Sequence, residues 1–85
     1  MPRRKEKITS PFGIATSNFF REKRIALGLS QTELAYLVFG NKSYQFLVSD
    51  IENHMKSMNQ NVIDKYCKVF NCEVVFVEKA YDRIQ

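Results

Sequence analysis

The chain is poor in the residues that build metal and redox sites. Cys67 and Cys72 are its two cysteines and His54 its one histidine. A structural zinc takes four such ligands, so the expectation is no metal. A disulfide between the two cysteines is unusual inside a cell, and both read best as small apolar residues in or near a core. Glycine is also scarce, at three residues, and none belongs to a glycine-rich phosphate loop. No Ser/His/Asp set and no paired carboxylates stand where a cleft is evident, so the sequence predicts neither an enzyme nor a cofactor. No apolar run approaches the ~18 residues of a membrane span, and a membrane is not an expected partner. The start, Met1-Pro2-Arg3-Arg4-Lys5, is basic with no apolar signal core after it, which points to a cytoplasmic protein.

What is present fits one small globular domain. The 85 residues are 45% hydrophobic and 26% charged. Thirteen Lys and Arg face nine Asp and Glu, and the excess is front-loaded. Residues 1–24 carry seven basic side chains (Arg3, Arg4, Lys5, Lys7, Arg21, Lys23, Arg24) against Glu6 and Glu22, so the remainder is near neutral. A basic end on a small domain favours an anionic partner, nucleic acid before membrane, although a solvated tail carries the same signature.

Residues 1–18 read as a basic arm. They hold Pro2, Pro11 and Gly13 and no sustained helical period, with Ile8, Phe12 and Ile14 as apolar anchors. A helix is expected over residues 18–27, where Phe20 and Leu27 lie a heptad apart, and Gly28 stops it. Ser30-Gln31-Thr32-Glu33 fits a capping box, with Leu29 and Leu34 at the positions of a hydrophobic staple. That helix buries Leu34, Ala35 and Val38, and Gly40-Asn41-Lys42 breaks it. A third helix is expected from Ser43 as N-cap. Tyr44, Leu47, Val48 and Ile51 form its buried face, while Gln45, Phe46, Ser49, Asp50 and Asn53 lie on the other side. After a loop from Asn53 to Asn59, a fourth helix over residues 61–70 buries Ile63, Tyr66, Cys67 and Phe70. Asn71 can close it in the left-handed region. Glu73-Val74-Val75-Phe76-Val77-Glu78 then reads as a strand. Its partner would be the N-terminal arm or, preferably, its own copy in a second subunit. The fold class expected is mainly α: a small helical bundle containing a helix-turn-helix, with a short C-terminal β-strand. The units are an arm (1–18), a helix-turn-helix domain (19–72), and a strand and tail for dimerisation (73–85).

Two short helices with a tight connection, the second polar on its outer face, suit DNA. The first presents its amino end to a phosphate. The second enters the major groove and reads base edges with its outer, N-terminal residues.

Three segments carry a family resemblance. Arg24-Ile25-Ala26-Leu27-Gly28-Leu29-Ser30-Gln31-Thr32-Glu33-Leu34-Ala35 resembles the start of the Cro/lambda-repressor-like (XRE) helix-turn-helix family. Val48-Ser49-Asp50-Ile51-Glu52-Asn53 resembles the end of that family's recognition helix, and the stretch from Ile63 to Cys72 resembles its next helix. The likeness spans residues 19–74. It implies that Gln31 contacts phosphate, that Gln45 and Phe46 read bases with Ser49 and Asp50 a turn further on, and that Asn53 and Lys56 touch backbone. It also implies that Arg24 and Glu52 are structural and pair internally. Lys42 and Ser43, at the start of the reading helix, are further DNA-contact candidates, although Lys42 reads equally as a free surface lysine. Phe46 could pack on thymine methyls or cover the turn before it.

The chain departs from the family pattern in places. The connection between Ala35 and Ile51 is longer, His54 stands where glycine is usual, and the valine-rich segment replaces a fifth helix. The function implied is a DNA-binding transcriptional regulator of bacterial or phage type. It would be a repressor that binds double-stranded DNA at an inverted repeat as a homodimer. The alternatives are an antitoxin-type autorepressor with a toxin or other regulator as protein partner, and a helical interaction module without DNA binding.

Overall fold

Local sequence decides where each helix begins and ends. The computed structural model describes residue 7 and residues 9–78. It contains α1 (Pro11–Ala26), α2 (Gln31–Phe39), α3 (Gln45–Glu52) and α4 (Gln60–Phe70), with a 3-10 turn, Lys42–Tyr44, leading into α3.

The first helix begins at Pro11, well before the expected Asn18. Ser10 caps it, its hydroxyl accepting from the Gly13 N–H at 3.3 Å. Pro11 occupies the first turn, where a missing N–H costs nothing and its fixed φ favours the helix. The segment from Phe12 to Asn18 is therefore helical. Ile8 and the run from Arg3 to Glu6, which belong to the expected basic arm, lie outside the described residues.

The helix ends share one device. Gly28 (φ +72°), His54 (φ +62°) and Asn71 (φ +55°) are left-handed. In each case the following N–H reaches back five residues: Leu29 to the Arg24 carbonyl (3.0 Å), Met55 to Asp50 (2.8 Å) and Cys72 to Cys67 (3.0 Å). These bonds satisfy carbonyls that the helix end would otherwise leave open. A Cβ at Gly28 would meet nothing within 4 Å, so Gly28→Ala isolates the backbone cost. We expect it to destabilise the fold by about 1 kcal/mol, a Tm drop of roughly 4–8 °C in calorimetry. His54 bears the same backbone cost, and its Nε2 lies 2.9 Å from Asn18 Oδ1, which ties the loop to α1.

The capping box at α2 is complete. Ser30 Oγ accepts from the Glu33 N–H at 3.0 Å, and Glu33 Oε1 accepts from the Ser30 N–H at 2.8 Å. Gly40, left-handed at φ +76°, closes α2. The next start differs from expectation. Asn41, not Ser43, is the cap, its Oδ1 accepting from the Ser43 N–H at 2.9 Å. The tight turn that follows throws Tyr44 outward, to 41% exposure, rather than onto the buried face.

The core is Phe20, Leu34, Ala35, Val38, Val48, Ile51 and Tyr66, supported by Phe39, Leu47, Val62, Cys67 and Phe70. One buried residue from α1, three from α2, two from α3 and one from α4 meet there, so α2 is the central element. The Phe20 ring lies 4.9 Å from Tyr66 and 5.8 Å from Phe70, which joins α1 to α4.

Tyr66 is a polar liability in this core. Its hydroxyl is buried with no hydrogen-bond partner among the described residues. Burial pushes its pKa well above the ordinary value, nearby Glu52 adds to the shift, and Arg24 opposes it. Below pH ~10 both folded and unfolded states keep the proton. Above that, the unfolded chain loses it first, so this residue's contribution to stability declines as pH rises. Tyr66→Phe should remove that alkaline loss and, at neutral pH, leave stability equal or higher by about 1 kcal/mol. Urea midpoints of both proteins at pH 7 and above pH 10 check this.

The expected strand from Glu73 to Glu78 is not formed among the described residues, where no backbone segment pairs with it. A strand exists only with a partner to complete its ladder. The segment instead carries no regular secondary structure, and its Phe76 ring stacks on Phe12 of α1 at 6.4 Å. Residues 79–85 of the expected tail lie outside the described residues. No described helix is long and apolar enough to cross a membrane.

Candidate nucleic-acid interface

The amino ends of α2 and α3 are brought together by a chain of side-chain hydrogen bonds. Gln45, the first residue of α3, donates from Nε2 to Gln31 Oε1 at 2.7 Å. Gln31, the first residue of α2, donates from its own Nε2 to Glu52 Oε1 at 3.0 Å. Glu52, at the end of α3, is gripped by Arg24 from α1 through two contacts, Nε to Oε2 at 2.6 Å and Nη2 to Oε1 at 3.0 Å. Arg24 Nη1 also donates to the Leu29 carbonyl at 2.7 Å.

One relay therefore ties α1, the turn before α2, the amino end of α2 and both ends of α3. It is anchored where water is scarce: the Glu52 side chain is 4% exposed and that of Arg24 13%. A bidentate guanidinium–carboxylate pair is both strong and directional. Arg21 adds a looser contact to Glu52 at 3.9 Å, but its side chain is 53% exposed. Such a contact is weak in water.

The relay fixes the Gln45 amide. One Nε2 hydrogen is committed to Gln31, and the second hydrogen and Oε1 remain for other bonds. Beside it, Phe46 is 57% exposed, and its ring lies against Tyr44 of the turn before α3. An aromatic ladder runs from the core to this surface, with Phe39 to Tyr44 at 5.5 Å and Tyr44 to Phe46 at 6.1 Å. Lys42 and Ser43 are exposed in the turn just before α3.

No family model, curated protein or solved structure matches this chain.

The remaining predicted residues lie toward the carboxyl end of α3. Ser49 is half-buried and Asn53 exposed, and Asn53 Nδ2 reaches Ser49 Oγ at 3.4 Å. Asp50 is half-buried, and its carbonyl accepts from Met55 in closing α3. Lys56 is exposed in the loop beyond and borders a small cavity with Ser10 and Gly13 at the start of α1, so it stands apart from Gln31 and Gln45. Tyr44 is the surface residue that sequence reasoning placed wrongly. The signal was Asn41, whose side chain caps a turn as readily as Ser43 caps a helix.

The cysteines are free and half-buried. Burial, and a hydrogen bond that the Cys67 thiol donates to Cys72, push the Cys67 thiol up, away from reactive thiolate character. The described residues contain no group of three or more His, Cys, Asp and Glu that could hold a metal.

Proposed function

We propose that this chain is a sequence-specific DNA-binding regulator of the helix-turn-helix type, acting as a dimer on an inverted repeat. The observation that carries the reading is the 2.7 Å bond between Gln45 and Gln31. It sets the amino ends of α2 and α3 side by side, with the amide of Gln45 oriented by its neighbour. The resemblance of three segments to the Cro/lambda-repressor-like family supports the same assignment.

The chemistry follows from that surface. Gln31, at the amino end of α2, meets a backbone phosphate where helix N–H groups and dipole favour an anion. Gln45 retains one donor and one acceptor, the pair that matches N7 and the 6-amino group of adenine. Phe46 contacts thymine methyls beside it, and Lys42 and Ser43 contact the flanking phosphates. Ser49, Asp50 and Asn53 lie further along the groove, and Lys56 adds a peripheral backbone contact. Two such helices in a dimer would lie about one DNA turn apart, ~34 Å.

Selection of bound sequences from a random duplex pool tests the proposal. The expected result is an inverted repeat with an adenine at one position of each half-site. Recovery of no enriched sequence, together with affinity that does not fall as salt rises, would overturn it.

One observation favours a second reading. Tyr36, Leu37, Tyr44 and Phe46 are all 41% exposed or more, an apolar surface that would also suit a protein partner such as a toxin. In that case the helical fold would serve protein binding, and duplex affinity would be absent.

A further inference from the structure

Cys67 and Cys72 are a pair rather than two separate thiols. Asn71, left-handed at the end of α4, turns the chain so that the Cys72 N–H bonds to the Cys67 carbonyl at 3.0 Å. A closure of this kind brings the side chains of its two end residues together. With standard bond lengths on either side of it, the bond holds the two Cα atoms within ~7 Å. A disulfide bridges Cα atoms roughly 4.4–6.8 Å apart. The two sulfurs are already in hydrogen-bond contact, with the Cys67 thiol as donor. The chain has no third cysteine to compete for either of them.

The pair can also be reached. Both residues are half-buried, and both line the same two cavities between α1, α4 and the segment that follows Asn71. The larger cavity measures about 770 Å³, room enough for a small molecule to approach the sulfurs.

We infer that Cys67 and Cys72 form a reversible modification site, a dithiol that closes to an intramolecular disulfide by exchange with small disulfides such as that of glutathione. Cys67 keeps its proton in the thiol–thiol bond, so Cys72 reacts first. Its thiol gives up a proton to water, and its sulfur attacks one sulfur of the small disulfide and releases one thiolate. Cys67 then loses its own proton and displaces the second thiolate from the Cys72 sulfur. Two protein thiols are oxidised, and one small disulfide is reduced to two thiols. In a reducing compartment the pair rests as thiols packed against the core, and it closes when the poise turns oxidising. The product staples the end of α4 to the residue from which residues 73–78 depart. That segment makes no backbone hydrogen bond to any other described residue, so the staple fixes its root.

Mass spectrometry and thermal melting of the full chain in a glutathione redox buffer test the inference. The folded protein should lose both thiols, gain no mass from glutathione and remain a single chain. In one buffer, its ratio of disulfide to dithiol should exceed that of the chain in strong urea by at least about tenfold, because only the fold aligns the pair beforehand. By linkage the same factor stabilises the fold, so the Tm should rise by roughly 5–15 °C on oxidation and fall back on reduction. C67S and C72S should each carry one glutathione instead and show no such rise. Glutathione adducts or chain-to-chain disulfides as the main wild-type products would overturn the inference. A folded ratio short of that factor, or a Tm that does not rise, would do the same. Every readout is taken without DNA, so this site can fail while the DNA-binding reading stands, and the reverse.

Discussion

Glu52→Ala should cost this fold about 3 kcal/mol, the largest loss expected from any single polar substitution. The carboxylate accepts from Arg24 twice and from Gln31 once, with its side chain 4% exposed. Removing it strands a largely buried guanidinium and an amide donor together. Breaking one side of a buried ion pair is expensive because the surviving charge keeps its desolvation cost and loses its partner. Against a total stability of ~5–15 kcal/mol, a domain of this size would lose a large share. Arg21→Ala is the control. It removes the exposed 3.9 Å contact to the same carboxylate and should shift stability by less than ~1 kcal/mol. Urea unfolding at neutral pH separates the two, with a large drop in midpoint for the first and almost none for the second. Similar midpoints for both variants would mean that the relay contributes little to the fold.

Gln45→Ala is the second expected large effect, and it acts on recognition rather than stability. Gln45 is half-buried at the start of α3, and its amide is held by Gln31 at 2.7 Å. A correctly placed bidentate amide distinguishes its base from the alternatives by ~1–3 kcal/mol, roughly five- to 150-fold in relative affinity. On a selected site and its single-base variants, the wild type should show that preference at one position per half-site. The alanine variant should lose the preference there and keep it elsewhere. Its affinity for random duplex should change little, because phosphate contacts carry that component. An unchanged preference at every position would take base reading away from the amino end of α3.

Much of this architecture was legible in the sequence where a local rule is strong. Ser30 and Glu33 announced α2 because the capping box is a reciprocal pair with fixed spacing. Gly28 and Asn71 announced helix ends because few residues accept the left-handed region. Val48, Ile51 and Tyr66 fell on buried faces by periodicity alone. The pairing of Arg24 with Glu52 came instead from resemblance, since nothing in a spacing of that length fixes a contact.

The misreadings also have physical causes. Pro11 and Gly13 look like helix breakers, yet Ser10-Pro11 is an N-terminal signature, and position decides which meaning holds. Asn41 competed with Ser43 for the cap and won, which rotated Tyr44 out of the core. The valine-rich segment had the composition of a strand, but strand formation needs a second backbone, and that depends on assembly rather than on local sequence. The relay from Gln45 through Gln31 to Glu52 joins three separate parts of the chain and became visible only in three dimensions.

The central claim is that the surface around the amino ends of α2 and α3 meets the duplex. Backbone amide shifts, followed by NMR as an unlabelled duplex is added to the labelled protein, test it most directly. The shifts should concentrate at Gln31, Thr32 and the stretch from Lys42 to Ser49, with α4 and Val74 to Val77 left in place. Shifts centred on α4 or on that valine-rich segment, or no shifts at all in low salt, would contradict it.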